Sequence, residues 1–176
     1  MTSTLALTTG TWQLDATAST ASFRIGNLGR TVHGTVPLLE GTFEVSDGKP
    51  ESVWGSLDLS AIDTGHPKRD KDLRKPNLLD LDTHPTMTFA SRSITATSTG
   101  TSTGTDTGWH ITGRLKIRDI AVPVEGDVTL STTDDGSVTL VATARFDRKP
   151  LGIRAPRLLI GRLIDVTVTA KVNLRR

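Results

Sequence analysis

Four histidines, a scatter of aspartates and one dense basic segment are the residues through which this chain could do chemistry. His33, His66, His84 and His110 lack the close pairing, such as H-x-x-x-H, that holds a metal ion on one helix face. His110 falls on the outward side of an alternating segment, and His66 and His84 flank prolines. No metal site is expected. Asp58, Asp63, Asp80 and Asp82 could supply a carboxylate pair for acid–base work. Their places at strand ends and turns give them a simpler duty, holding backbone N–H groups. No phosphate-cradling loop or dinucleotide fingerprint is present. No catalytic residue and no cofactor are expected, and the chain reads as a non-enzyme.

The basic segment, His66 to Pro76, mixes Lys68, Arg69, Lys71, Arg74 and Lys75 with Asp70 and Asp72. Two readings stand. Arg69 and Arg74 could form a rim that meets a phosphate or quinone oxygen of a ligand headgroup. The other reading is a solvated helical face with local ion pairs of small worth. For Arg69 and Asp70 the expectation is a mutual pair that pins the segment in place.

These residues need elements to hold them. A helix is expected over about Pro67–Lys75, with Pro67 in its first turn and Pro76 ending it. On both sides the pattern has period two, the mark of half-buried strands. Ser52 to Asp63 sets Val53, Leu57, Leu59 and Ala61 on one face. Trp109 to Arg118 does the same with Trp109, Ile111, Leu115 and Ile117. From Ile164 the residues Ile164, Val166, Val168, Ala170, Val172 and Leu174 alternate with polar ones. Weaker alternation covers Ser22–Asn27, Arg30–Val36, Thr86–Ile94, Ile120–Leu130 and Ser137–Arg145. Ser46-Asp47-Gly48 and Asp134-Asp135-Gly136 read as hairpin turns. The Thr-, Ser- and Gly-rich run over residues 97–108 reads as a mobile hairpin tip. The basic, apolar stretch Arg154–Arg162 reads as a loop capping one barrel end.

About ten strands with short turns and one helical crossover predict an all-β fold, an antiparallel barrel closed on itself. The chain of 176 residues is long enough for one domain with its own core, running from about residue 11 to 174. It has no cysteine, so no disulfide is available. With 21 basic against 19 acidic side chains the net charge is +2, and no polyanion-binding face is implied. Nucleic acid is therefore not an expected partner. No apolar run reaches the ~18 residues of a membrane span, and the N-terminus lacks a basic-then-apolar leader. A cytoplasmic protein without membrane insertion is expected.

Ordered along the chain, the segments carry a family resemblance. Trp12-Gln13-Leu14-Asp15 is followed by Ser19 to Phe23. Ile62-Asp63-Thr64-Gly65 leads into Arg69-Asp70 and Leu73, then Asn77-Leu78-Leu79-Asp80 and Pro85 to Phe89. Gly113-Arg114-Leu115-Lys116-Ile117-Arg118 precedes Pro123-Val124, and Arg148 precedes Gly152-Ile153. Together they resemble the YceI-like family of lipocalin-like barrels associated with polyisoprenoid binding. The chain differs where the family usually has histidine, at Ala18, and where it usually has phenylalanine, at Leu78 and Leu79.

The resemblance implies a lipid-binding protein that sequesters or carries a polyisoprenoid or isoprenoid-quinone-like ligand in the barrel. The ligand would lie against inward residues of the strands: Phe23, Ile25, Leu57, Leu59, Met87 and Phe89, with Ile111, Leu115 and Ile117. Leu73, Leu78 and Leu79 would close over it from the crossover, Pro67–Leu81, which would act as a loose gate. The alternative is a barrel filled by its own side chains, a homodimeric structural or protein-interaction module without lipid.

Overall fold

Ten antiparallel strands make up most of the computed structural model, which describes residues 7–27, 29–97, 107–132, 137–152 and 161–175. They are β1 (Gly10–Leu14), β2 (Thr20–Asn27), β3 (Arg30–Val36), β4 (Leu38–Ser46) and β5 (Lys49–Asp58). After a crossover come β6 (Thr86–Thr97), β7 (Thr107–Ile117), β8 (Ile120–Thr132), β9 (Val138–Asp147) and β10 (Leu163–Leu174). Threonine, valine and isoleucine recur in them because side chains branched at Cβ suit a pleated, half-buried surface. Strands β4 to β10 follow one another around the wall, and β1 joins β10 to β4. The ring closes on eight strands, which leaves few edges open to a second chain.

β10 is the seam of this ring. One of its sides pairs with β9 from Leu163 to Val172. Its other side pairs first with β2, Ile164 opposite Ile25, and then with β1, Leu174 opposite Trp12. β1 and β2 are therefore two stretches of one course along β10. The break between them is a 3-10 turn, Ala16–Ala18, whose first N–H groups need acceptors. Asp15 Oδ1 supplies one, accepting from the Thr17 N–H at 3.1 Å and its hydroxyl at 2.7 Å. Ser19 locks the break to the seam: its hydroxyl donates to Asp15 O at 2.6 Å and accepts the Lys171 N–H at 2.9 Å.

β3 and β4 form a second broken course, split at Pro37, which has no N–H for a ladder. β4 continues the wall by pairing with β5, but β3 pairs only with β2. The wall is thus open beside β3, and residues 59–85 fill the breach. They hold a 3-10 turn, Leu59–Ala61, and the helix α1, Pro67–Leu73. Two backbone bonds between Thr35 and Asp63, 2.8 and 3.0 Å, tie the crossover to β3.

The core has two parts. At the β1 and β4 end, Trp12, Phe43, Trp109, Leu130 and Leu140 pack with Val138 and Val172. Toward the crossover, Leu115, Ile117 and Val122 meet Leu59, Leu79, Leu81 and Leu151. Two glycines let aromatic rings lie flat on the wall. A Cβ at Gly113 would stand 2.6 Å from the ring carbons of Phe89, and one at Gly34 would collide with the Phe23 ring.

Three expectations need correction. The strand expected through Asp63 stops at Asp58, because the Asp58 carboxylate takes the Ser60 N–H at 3.0 Å and starts a 3-10 turn. Leu59 still turns inward, but Ala61 is exposed. The helix ends at Leu73, two residues before Lys75. β1 and β4 carry no alternation strong enough to single them out, since β4 interrupts its own register with shifts at Leu38/Glu40 and Glu44/Val45. The expected turn at residues 134–136, and most of the Thr-rich tip and the 154–162 loop, lie outside the described residues.

Candidate functional site

Beneath the crossover, beside the part of the core that faces it, lies a cavity of about 390 Å³. Nine of the twelve residues expected to line the barrel border it. Phe23 and Ile25 come from β2, Leu57 from β5, Met87 from β6 and Ile117 from β7. Leu59, Leu73, Leu78 and Leu79 come from the crossover. The other three face inward at a deeper level. Leu115 and Phe89 pack into the core cluster toward the crossover, and Ile111 is buried between Leu115 and Trp109 along β7. Val32, Phe146, Ile164 and Val166 add to the apolar wall, with Ala21, Val36 and Ile62. Of these, Ile164 and Val166 belong to the apolar face of the last alternating run in the sequence.

The polar rim is built around Thr64, which is 8% exposed. Its N–H and hydroxyl donate to Asp70 Oδ1 at 3.0 and 2.5 Å. Its hydroxyl oxygen accepts from Arg69 Nε at 2.8 Å, and its carbonyl accepts from Arg69 Nη2 at 2.9 Å. Arg69 and Asp70 therefore do pin the crossover, through a shared threonine and not through each other. The physical reason is helical: adjacent residues point about 100° apart and cannot face each other. Arg74 does not border the cavity. It donates to Ser60 O at 2.9 Å and to Asp82 at 2.7 Å, bracing the two ends of the crossover.

Several donors at the rim remain unspent. The Arg69 N–H donates to His66 Nδ1 at 3.3 Å, which places the ring proton on Nε2. Lys68 makes no ion pair or hydrogen bond among the described residues. Asp72, the carboxylate that borders the cavity, is engaged by Lys75 at 2.8 Å, and that contact holds its pKa below the usual value. Arg148 reaches the wall from the end of β9. It is 7% exposed, and its Nε donates to Gly161 O at 2.7 Å. The late arginine motif gave its position in sequence but no sign that it would be buried beside the cavity.

A second depression of about 390 Å³ lies where β2 and β3 meet Asp63–Gly65. Arg24, His33, Asp63 and Asp165 line it, and it is open to solvent. Its charges answer one another, with Asp165 held by Arg145 at 2.6 Å and facing Arg24 at 4.0 Å. Among the described residues no group of three or more histidine or carboxylate side chains is set to hold a metal ion. No described helix is long and apolar enough to cross a membrane. One Gly-x-Ser-x-Gly string does occur, at residues 100–104, within the repetitive tip outside the described residues. It lies between two paired strands, β6 and β7, whereas a nucleophile elbow turns from a strand into a helix. The chemistry available in the cavity beneath the crossover is therefore an apolar body with hydrogen-bond donors at its rim, which suits an amphiphile with an oxygen-bearing head.

Comparison with known proteins agrees with this architecture. A UPF0312 protein of Azotobacter vinelandii is 35% identical over 106 residues, which are 58% of this chain and 52% of the relative. Protein YceI of Escherichia coli is 32% identical over 106 residues. The chain spans about half the length of these relatives. BcnA of Burkholderia cenocepacia has a similar fold, with a TM-score of 0.76 at 16% identity over 91% of this chain and 99% of BcnA. So does a polyisoprenoid binding domain from Saccharophagus degradans, with a TM-score of 0.69 at 13% identity over 93% of this chain and 98% of that domain. The profile of the YceI-like domain matches residues 12–175, and with nearly the whole barrel inside that match the chain belongs to the YceI-like family.

Proposed function

We propose that this protein binds an isoprenoid lipid in the cavity beneath the crossover, as a carrier or sequestering protein that makes and breaks no bond. The observation that carries this reading is the apolar cavity of about 390 Å³, open on one side, beneath the crossover. A cavity of this size falls within the ~300–1,000 Å³ range of small-molecule sites. Each methylene moved from water into such a site gains about 0.8 kcal/mol, so a branched tail of a few units offsets its own immobilisation. The unspent donors of His66, Lys68 and Arg69 favour a head with acceptor oxygens, such as a quinone, a hydroxyl or a phosphate. The fold shared with a polyisoprenoid binding domain supports the same ligand class.

The test is native mass spectrometry of the purified protein, with organic extraction and lipid analysis of the same sample. An isoprenoid species in stoichiometric amount is the expected result. A protein that stays free of lipid after incubation with prenols and isoprenoid quinones would refute the carrier reading and leave a barrel whose role lies on its surface.

A further inference from the structure

We infer that β3 offers an open edge to a second copy of this chain, paired antiparallel about a two-fold axis at Val32. The inference goes beyond the carrier reading and does not depend on it.

A strand turns the N–H and C=O groups of successive residues to alternate sides. β3 pairs with β2 without a shift of register, Phe23 opposite Gly34 and Ile25 opposite Val32. Thr35 fixes the alternation, because its N–H and C=O both point away from β2 and bond Asp63 at 2.8 and 3.0 Å. His33, two residues earlier, and Thr31, two before that, must turn the same groups the same way. Neither has a backbone partner on that side among the described residues, and both are exposed. The crossover begins a ladder against β3 at Asp63 and leaves it at once, where Gly65, with φ at 75°, turns the chain toward α1. Beside His33 there is instead the open depression bordered by Thr35, Asp63 and Gly65.

The geometry of the edge selects its occupant. Thr31 and His33 present two donors and two acceptors. An antiparallel copy satisfies all of them at once when Thr31 of each chain faces His33 of the other, which puts Val32 opposite Val32 on the axis. Arg30 then faces Gly34, so no like charges oppose each other across the seam. Both ends of the edge are clear: a Cβ at Gly29 or at Gly65 would meet nothing within 4 Å. A foreign strand would cover this edge and leave its own far edge bare, whereas a second copy hides two edges in one contact. Such two-fold pairing of identical surfaces is the commonest symmetry of soluble oligomers. Val32 also borders the cavity, so the seam runs along the cavity wall.

The absence of cysteine makes the test clean. Across the axis the two Val32 Cα atoms would stand about 4.5 Å apart, within reach of a disulfide. The two Thr31 Cα atoms would stand roughly 8 Å apart, beyond it. The full chain carrying Val32→Cys or Thr31→Cys is oxidised at high concentration, since so short a seam associates at about micromolar to millimolar levels. Non-reducing electrophoresis reads the covalent dimer. Val32→Cys is expected to cross-link at least about tenfold faster than Thr31→Cys. Sedimentation of the parent over the same range should show a dimer. Thr31→Pro removes a donor that the fold does not use, so it should weaken association by at least about tenfold with little change in melting. Equal cross-linking of the two cysteine variants would overturn the register. A parent that stays monomeric to millimolar concentration, or a dimer that Thr31→Pro leaves intact, would overturn the edge as the place of pairing.

Discussion

Replacing Thr64 with valine keeps the shape of the side chain and removes one hydroxyl, yet it reaches both sides of the crossover clamp. The hydroxyl donates to Asp70 at 2.5 Å and its oxygen accepts from Arg69 Nε at 2.8 Å. Hydrogen bonds with a charged partner contribute about 1.5–3 kcal/mol each. Asp70 and Arg69 are half-exposed, so water recovers part of that loss. Asp70 also keeps the Thr64 N–H, and Arg69 keeps the Thr64 carbonyl. A net cost of about 2–3 kcal/mol follows for Thr64→Val. At about 2–4 °C per kcal/mol for a domain of this size, the melting temperature should fall by about 4–12 °C. Hydrogen exchange should locate the effect: amides of residues 59–85 exchange faster, while those of β7 and β8 keep their protection. A double-mutant cycle with Arg69→Ala should return a coupling of at least about 0.5 kcal/mol. A melting temperature within 1 °C of the parent (about 0.3–0.5 kcal/mol), or zero coupling, would refute the view that Thr64 is the hub of the crossover.

Three further expectations concern the cavity, the packed interior and the charged outer face. Leu57→Trp should fill the cavity and abolish prenol binding with little change in melting, whereas Leu115→Trp, in the packed layer, should destabilise by about 1–3 kcal/mol; parallel melts and binding assays compare them. Leu130→Ala, at a position with 0% exposure, should cost about 2–5 kcal/mol in urea denaturation and leave prenol affinity unchanged, because no buried residue of its cluster borders the cavity. The pH dependence has two limbs. Asp165 and Asp147 have lowered pKa values, from the Arg145 contact and from the Lys149 N–H respectively, so their stabilisation is present above the ordinary carboxylate pKa and is lost as pH falls through their folded values. His110 has a raised pKa, from Asp127 first and Glu125 second, so its contribution is full below the ordinary histidine pKa and fades as pH rises through the folded value. A melt series in pH should show both limbs, and His110→Gln should remove only the second.

The alternation of Trp109 to Ile117 was legible because one face of each strand meets the core. It could say that Ile111, Leu115 and Ile117 point inward, but not at what height. Only Ile117 reaches the cavity, since height depends on strand tilt and on the register with β6 and β8, which pair residues distant in sequence. The crossover was legible from Pro67, Pro76 and the charged residues between them. Its clamp was not, because Thr64 lies outside the helix and looks like an ordinary turn residue. Arg69 and Asp70, adjacent in sequence, suggested a pair, and helical geometry sends both to the threonine instead. The broken courses at Ala16–Ala18 and Pro37 were hidden for another reason. Each half reads as a short strand of its own, and only the shared partner β10 joins β1 to β2.

That shared partner sets an order of events during synthesis. Ser19 must wait for Lys171, a contact spanning 152 residues, before the first break can be locked. Until β10 leaves the ribosome, β1 has only β4 beside it and β2 only β3. The apolar faces of Trp12, Phe43 and Trp109 then belong to an open, curling sheet with two raw edges. Such long-range closure is slow and exposes chains to mispairing with their neighbours. A nascent chain halted before Leu163 would hold nine of the ten strands and still be unable to close, so the final strand acts as the fastener on which the whole cylinder depends.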